Sequence, residues 1–115
     1  MTYCLAIALD EGLVFCSDSR TNAGADRVSS YSKMHRFAFP GERSLVLLSA
    51  GNLATSQAVV AQIHRDLEAG ESAPIHRAEY VSDVADYIGD LIAKESAKYS
   101  AAGGPGAELD ASATF

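Results

Sequence analysis

The chain has 115 residues, 48% hydrophobic and 21% charged, and its 15 acidic and 9 basic side chains leave a net charge of −6. That composition fits one globular domain burying roughly two-thirds of its unfolded surface. It also excludes the dense basic face that binding of nucleic acid requires. No stretch approaches the ~20 consecutive apolar residues of a membrane span, and the N-terminus lacks the basic flank and unbroken apolar core of a signal peptide. The expectation is a cytoplasmic protein with neither nucleic acid nor membrane as partner.

Residues 2–9 and 13–17 are short apolar runs around Asp10-Glu11-Gly12, the pattern of a hairpin. Cys4 and Cys16 lie inside these runs and are too few for a disulfide scaffold, so reduced core thiols are expected. Residues 19–31, rich in Ser, Asn, Gly and Asp, read as a loop. A second strand pair is expected near 33–39 and 44–50, joined by the turn Pro40-Gly41-Glu42-Arg43. From Leu53 the period changes: Val60, Ile63 and Leu67 recur at helical spacing, and Gly70 supplies a stop.

Beyond a loop containing Pro74, a second amphipathic helix is expected over roughly 79–99, marked by Val81, Val84, Ile88, Leu91 and Ile92. Residues 101–106 end it, and the tail from Leu109 to Phe115 reads as the start of a strand. Antiparallel strand pairs followed by a helix pair give an α+β fold with helices on one face of a sheet. The other face is left bare, as expected of half of a larger domain or of a chain that pairs with a partner.

Thr2 carries the first chemical signal. A threonine following the initiator methionine is exposed when Met1 is removed, and the new α-amine has a pKa of about 7.7–8.0. Part of it is unprotonated at neutral pH and can take the proton of its own hydroxyl, which makes an activated nucleophile. If Asp10, Glu11 and Gly12 form a three-residue loop, Leu9 opposes Leu13, Cys4 opposes Asp18 and Thr2 opposes Arg20. Thr2 and Asp18 then share a face as diagonal neighbours. A two-residue loop would put Asp18 on the opposite face. Lys33, at the start of the third strand, is a cation that Asp18 could anchor beside Thr2, lowering the pKa of the hydroxyl. The plain alternatives are a strand-end Asp18 capping the next loop and a solvated Lys33.

Gly51 stands between an apolar strand and a helix, where its N–H and the helix dipole would stabilise an oxyanion. Alternatively it serves only a tight turn, with Asn52 as the helix N-cap. Three His-Arg pairs, at 35–36, 64–65 and 76–77, match no metal-ligand spacing and suggest no site.

In combination, T-Y-C at 2–4, D-E-G-L-V-F at 10–15, S-D-S-R-T-N-A-G at 17–24, K-M-H at 33–35 and L-L-S-A-G-N-L-A-T at 47–55 resemble the bacterial Anbu subunits. These are proteasome-like proteins related to the HslV peptidase and proteasome β-subunits, within the N-terminal nucleophile hydrolases. The resemblance implies the N-terminal half of a four-layer αββα sandwich, in a single proteasome-type domain over 1–115 that is truncated relative to family members. It implies catalytic roles for Thr2 as nucleophile, for Asp18 and Lys33 beside it, and for the Gly51 N–H at the oxyanion. It places Arg20, Thr21, Asn22, Ser49 and Leu53 at a substrate cleft.

The function so implied is a threonine endopeptidase acting on peptides or unfolded protein, with no metal or organic cofactor. Self-association into a ring or spiral is expected, and the sequence does not say whether an ATPase feeds it. The alternatives are a catalytically silent scaffold or truncated fragment of the same fold and, more weakly, an amidohydrolase of small amides.

Overall fold

The computed structural model describes residues 2–22, 28–102 and 113–115. The fold is α+β, and the chain divides into two compact units, Met1–Ala50 with Phe115, and Gly51–Thr114.

The first unit is built of antiparallel ribbons. Strands β1 (Cys4–Leu9) and β2 (Gly12–Ser17) pair with Leu9 opposite Gly12 and Cys4 opposite Ser17. The turn therefore contains Asp10 and Glu11 alone, and the expected three-residue loop with Leu9 opposite Leu13 is corrected by one residue. The physical reason is that this hairpin is apolar on both faces. Leu5, Ile7, Val14 and Cys16 share one face, while Ala6, Ala8, Leu13 and Phe15 share the other. A strand that is apolar on both sides carries no alternation to fix its register. Cys4 and Cys16 are free thiols, as expected, but both are exposed rather than in the core.

The segment expected to be a loop contains a short ribbon, β3 (Arg20–Asn22) paired with β4 (Val28–Ser30). Strands β5 (Met34–Phe39) and β6 (Arg43–Leu48) form the third ribbon. Gly41, at φ +73°, closes its turn with Pro40 and Glu42, and Arg43 has already entered β6. Along β5 the buried Phe37 and Phe39 alternate with exposed Arg36 and Ala38, a half-buried strand pattern. The Arg43 guanidinium lies 4.8 Å from the Phe39 ring centroid.

Strand β7 (Ala50–Gly51) leads into the second unit. Helix α1 (Leu53–Glu68) starts on Asn52, whose side chain accepts the Thr55 N–H at 3.2 Å. It ends ahead of Gly70, which adopts φ +93°. Helix α2 (Pro74–Arg77) was not anticipated; it is one turn opened by Pro74 in its first turn. Helix α3 (Val81–Ala102) begins where the Asp83 carboxylate accepts the N–H groups of Tyr80 and Glu79, half of a capping box.

Val59 and Ile63 of α1 are fully buried, Ile75 of α2 is nearly so, and Ile88 and Leu91 of α3 are buried as well. Val81, which the helical spacing places among the apolar positions, is instead 83% exposed. Strand β8 (Ala113–Thr114) lies against α1. The rest of the expected terminal strand, and the end signal at 103–106, lie outside the described residues. No helix among the described residues is long and apolar enough to cross a membrane.

Candidate active site

Beyond the ends of β1 and β2 the chain carries on without strand pairing, and Tyr3 and Asp18 take over. The Asp18 N–H donates to the Tyr3 carbonyl at 3.0 Å, and the Tyr3 N–H donates to Asp18 Oδ1 at 2.9 Å. This double clamp fixes the residue next to Thr2 against the residue that ends the hairpin. Asp18 Oδ2 accepts from the Arg20 N–H at 3.3 Å and from Lys33 Nζ at 2.8 Å. Lys33 Nζ also donates to Thr2 Oγ1 at 3.2 Å.

Asp18, Lys33 and Thr2 thus form a continuous carboxylate–ammonium–hydroxyl row. It arises from the backbone clamp and the reach of the lysine, not from the shared strand face that the sequence suggested. In the observed register Asp18 lies opposite Tyr3, so the diagonal argument fails while the residues still meet.

Lys33 is 7% exposed, and its salt bridge to Asp18 is sheltered on the lysine side while 30% of the aspartate side chain remains accessible. The lysine hydrogen bond, seconded by the Tyr3 N–H, holds the Asp18 carboxyl at a pKa of about 2. Asp18 is therefore a fixed negative charge at neutral pH. An ammonium donating to the Thr2 hydroxyl stabilises the alkoxide over the neutral form, which is the direction that activates a nucleophile. While Met1 remains attached the Thr2 nitrogen is an amide and cannot serve as base.

The other residues that sequence reasoning singled out are distributed as follows. The Arg20 side chain is exposed, and its backbone N–H is what touches Asp18. Thr21 is half-buried, with a buried Oγ1 that makes no hydrogen bond among the described residues. Asn22 lies in β3, and its side chain is outside the described set. Ser49 is buried and its N–H donates to the Lys33 carbonyl at 2.8 Å, so it belongs with the row. Gly51, at φ +91°, and Leu53, the first residue of α1, belong to the second unit.

Sequence reasoning gave Tyr3 no role, because what it contributes is backbone, which no side-chain pattern advertises. It also set aside His35, whose Nε2 lies 3.4 Å from Ser49 Oγ. His76, of another His-Arg pair, is half-buried with its Nε2 3.2 Å from the Leu67 carbonyl oxygen. Among the described residues no group of three or more His, Cys, Asp or Glu is placed to hold a metal ion.

The small antiparallel ribbons and the helices make an α+β fold that matches a proteasome-like one. Solved structures sharpen the assignment. The chain is 39% identical to Anbu, the ancestral β-subunit, from Yersinia bercovieri, with a TM-score of 0.78 over 87% of this chain and 42% of that one. It is 34% identical to the Anbu complex of Pseudomonas aeruginosa, solved as a helical assembly, with a TM-score of 0.77 over 98% of this chain and 45% of that one. It is 40% identical to the Gly-1 mutant of Anbu from Hyphomicrobium sp. strain MC1, with a TM-score of 0.76 over 88% of this chain and 43% of that one.

The structural neighbours of this chain are thus Anbu proteins, and it corresponds to the N-terminal half of their fold. It spans less than half the length of the relatives it matches. Anbu proteins are proteasome-like relatives of the N-terminal nucleophile hydrolases. No protein-family model and no curated protein matches the sequence.

Proposed function

We propose that this chain is part of a proteasome-type threonine peptidase subunit whose nucleophile is Thr2, exposed by removal of Met1. The observation that carries this reading is the placement of Lys33 Nζ between Asp18 Oδ2 at 2.8 Å and Thr2 Oγ1 at 3.2 Å. A strand-end lysine with only a structural task has no need to reach a hydroxyl on the residue after the initiator methionine.

In this reading the freed α-amine of Thr2 takes the hydroxyl proton as Oγ1 attacks a peptide carbonyl carbon, and the carbonyl π pair moves onto oxygen. The tetrahedral intermediate collapses, its C–N bond breaks, and the amine-held proton passes to the departing nitrogen. The ester left on Thr2 is hydrolysed by water, which returns the hydroxyl and releases the acid. Lys33 keeps the α-amine neutral by like-charge repulsion and steadies the developing alkoxide, while Asp18 holds Lys33 in place. The substrate class is a peptide or an unfolded protein segment, acted on in the cytoplasm. The helical assembly of the Pseudomonas aeruginosa Anbu complex supports self-association of subunits of this kind.

The test is the intact mass of the purified protein before and after exposure to a peptide epoxyketone or boronate. Loss of Met1 and a covalent adduct mapping to Thr2, absent in Thr2→Ala, is the expected result. Retention of Met1, or an exposed Thr2 that stays unmodified, would assign the chain to a catalytically silent scaffold of the same fold. Turnover of small amides without turnover of peptides would make it an amidohydrolase instead.

A further inference from the structure

His35 is left unused by the chemistry above, yet its surroundings are constructed. The pairing of β5 with β6 puts Met34 opposite Leu48 and His35 opposite Leu47. The Ser49 N–H to Lys33 carbonyl bond of 2.8 Å extends that pairing by one residue, so Lys33 stands opposite Ser49. Directly opposed and diagonal residues share a face, which gathers Lys33, His35 and Ser49 on one side of the ribbon. His35 Nε2 is 3.4 Å from Ser49 Oγ, and Ser49 Oγ is 3.5 Å from the Lys33 carbonyl oxygen.

The direction of this chain follows from its members. A carbonyl only accepts and the serine hydroxyl has one proton, so that proton goes to Lys33 and His35 Nε2 carries the hydrogen that Ser49 Oγ accepts. The Tyr31 ring packs on the imidazole at 6.1 Å between centroids and a 51° tilt, which orients it. The Cys4 thiol donates to the Ser49 carbonyl at 3.9 Å. Ser49, 3% exposed, therefore touches both the strand that begins two residues after Thr2 and the strand end that carries Lys33.

We propose that His35 and Ser49 are positioning residues for Lys33: the imidazole locks the serine hydroxyl onto the Lys33 carbonyl and so fixes the strand end from which the lysine reaches Asp18 and Thr2. Two donors on one carbonyl hold the peptide plane between residues 33 and 34, and the side chain leaves from the Cα at its edge. The lysine amine must meet two partners at once, so a small rotation there loosens both contacts. The structural part of this proposal stands independently of the peptidase reading; only its kinetic consequence rests on that reading.

The experiment measures the Asp18 carboxyl pKa by carbon-13 NMR titration in the wild-type chain and in His35→Leu, His35→Gln and Ser49→Ala. The wild type starts from about 2, because Lys33 holds the carboxylate. His35→Leu and Ser49→Ala are expected to raise it toward the ordinary value of about 3.9. His35→Gln, whose amide can still donate to Ser49, should stay near the wild type. An Asp18 value in His35→Leu equal to the wild type, or the same shift in His35→Leu and His35→Gln, overturns the proposal.

The second arm is the maximal rate of Thr2 modification by the epoxyketone. His35→Leu should lower it by roughly two- to tenfold, the effect of losing one ordinary hydrogen bond, with the half-saturating concentration unchanged. A changed half-saturating concentration at an unchanged maximal rate would mean that His35 faces the substrate, and overturns the proposal. A shifted Asp18 pKa in a chain whose wild-type Thr2 never reacts would sink the peptidase reading and uphold the positioning one.

Discussion

The two compact units of this chain spend their burial on different things. In the second, the aliphatic Val59 and Ile63 are at 0% exposure and Ile75 at 1%, with Thr55 the one polar residue withdrawn as completely among the described residues. In the first, the hairpin leaves Leu5, Ile7, Leu9, Leu13 and Val14 between 38% and 65% exposed, while Lys33 and Ser49 are at 7% and 3%. Apolar burial supplies most folding free energy, whereas a buried ammonium needs its partners in order to be tolerated at all. The second unit thus buries a mainly aliphatic core and no charged side chain among its described residues, whereas the first buries a charge alongside Phe37 and Phe39. The contrast also gives the bare hairpin a meaning, since a contiguous apolar face is a surface awaiting cover. The four-layer sandwich implied by the family resemblance would supply it.

The sharpest way to break this comparison is to remove the charge. Lys33→Ala is expected to slow epoxyketone modification of Thr2 by ~10²–10⁴-fold, the range for losing an electrostatic or proton-handling group at a reacting centre. The chain should remain folded, because the Asp18 carboxylate left behind is 30% accessible to water and keeps the Tyr3 and Arg20 N–H groups as donors. A modification rate within threefold of wild type would show that the lysine is structural.

The next largest effect belongs to the second unit. Ile63→Ala removes a fully buried aliphatic side chain and is expected to lower the unfolding free energy by about 2–5 kcal/mol in urea denaturation. Leu13→Ser, at a position 65% exposed, should change it by no more than about 0.5 kcal/mol while reducing aggregation. Equal losses would erase the distinction drawn between the units. A smaller effect comes from the helix start: Asn52→Ala deletes the side-chain acceptor of the Thr55 N–H and should cost about 1 kcal/mol.

How legible each region was in the sequence follows from the same contrast. Helix α1 could be read closely because its signals are local, with Asn52 as cap, the spacing from Val60 to Ile63 and Gly70 as stop. Helix α2 escaped because a single turn shows no period. The hairpin itself was legible, but its register was not: Leu5, Ile7 and Val14 on one face are matched by Leu13 and Phe15 on the other, so no polar position pins the pairing. The β3–β4 ribbon was hidden by polar residues that normally mark loops. At the site, Thr2, Asp18 and Lys33 stood out through their chemistry and the resemblance together. Tyr3 contributes only backbone groups to its clamp with Asp18, and His35 was tested against metal-ligand spacing when its partner was a serine across the ribbon.

The smallest effect isolates the Asp18–Lys33 pair from everything else. The folded-state pKa of Asp18, about 2, lies below its unfolded value of about 3.9, so the native state binds this proton less tightly. Its contribution to stability is complete above the unfolded pKa and disappears as pH falls through the folded one, a window from about pH 4 to about pH 2. Other carboxylates titrate there too, so the wild-type curve alone cannot isolate this one. Lys33→Met removes the first cause of the depression and brings the two Asp18 values closer, the Tyr3 and Arg20 N–H groups still favouring the carboxylate. Urea midpoints followed from pH 5 to pH 2 should therefore fall more steeply for the wild type than for Lys33→Met, with the divergence confined to that window. Because Asp18 is 30% accessible, added salt should shrink the divergence. Parallel curves would mean that the lysine does not hold the carboxylate in solution, and the row would lose its anchor.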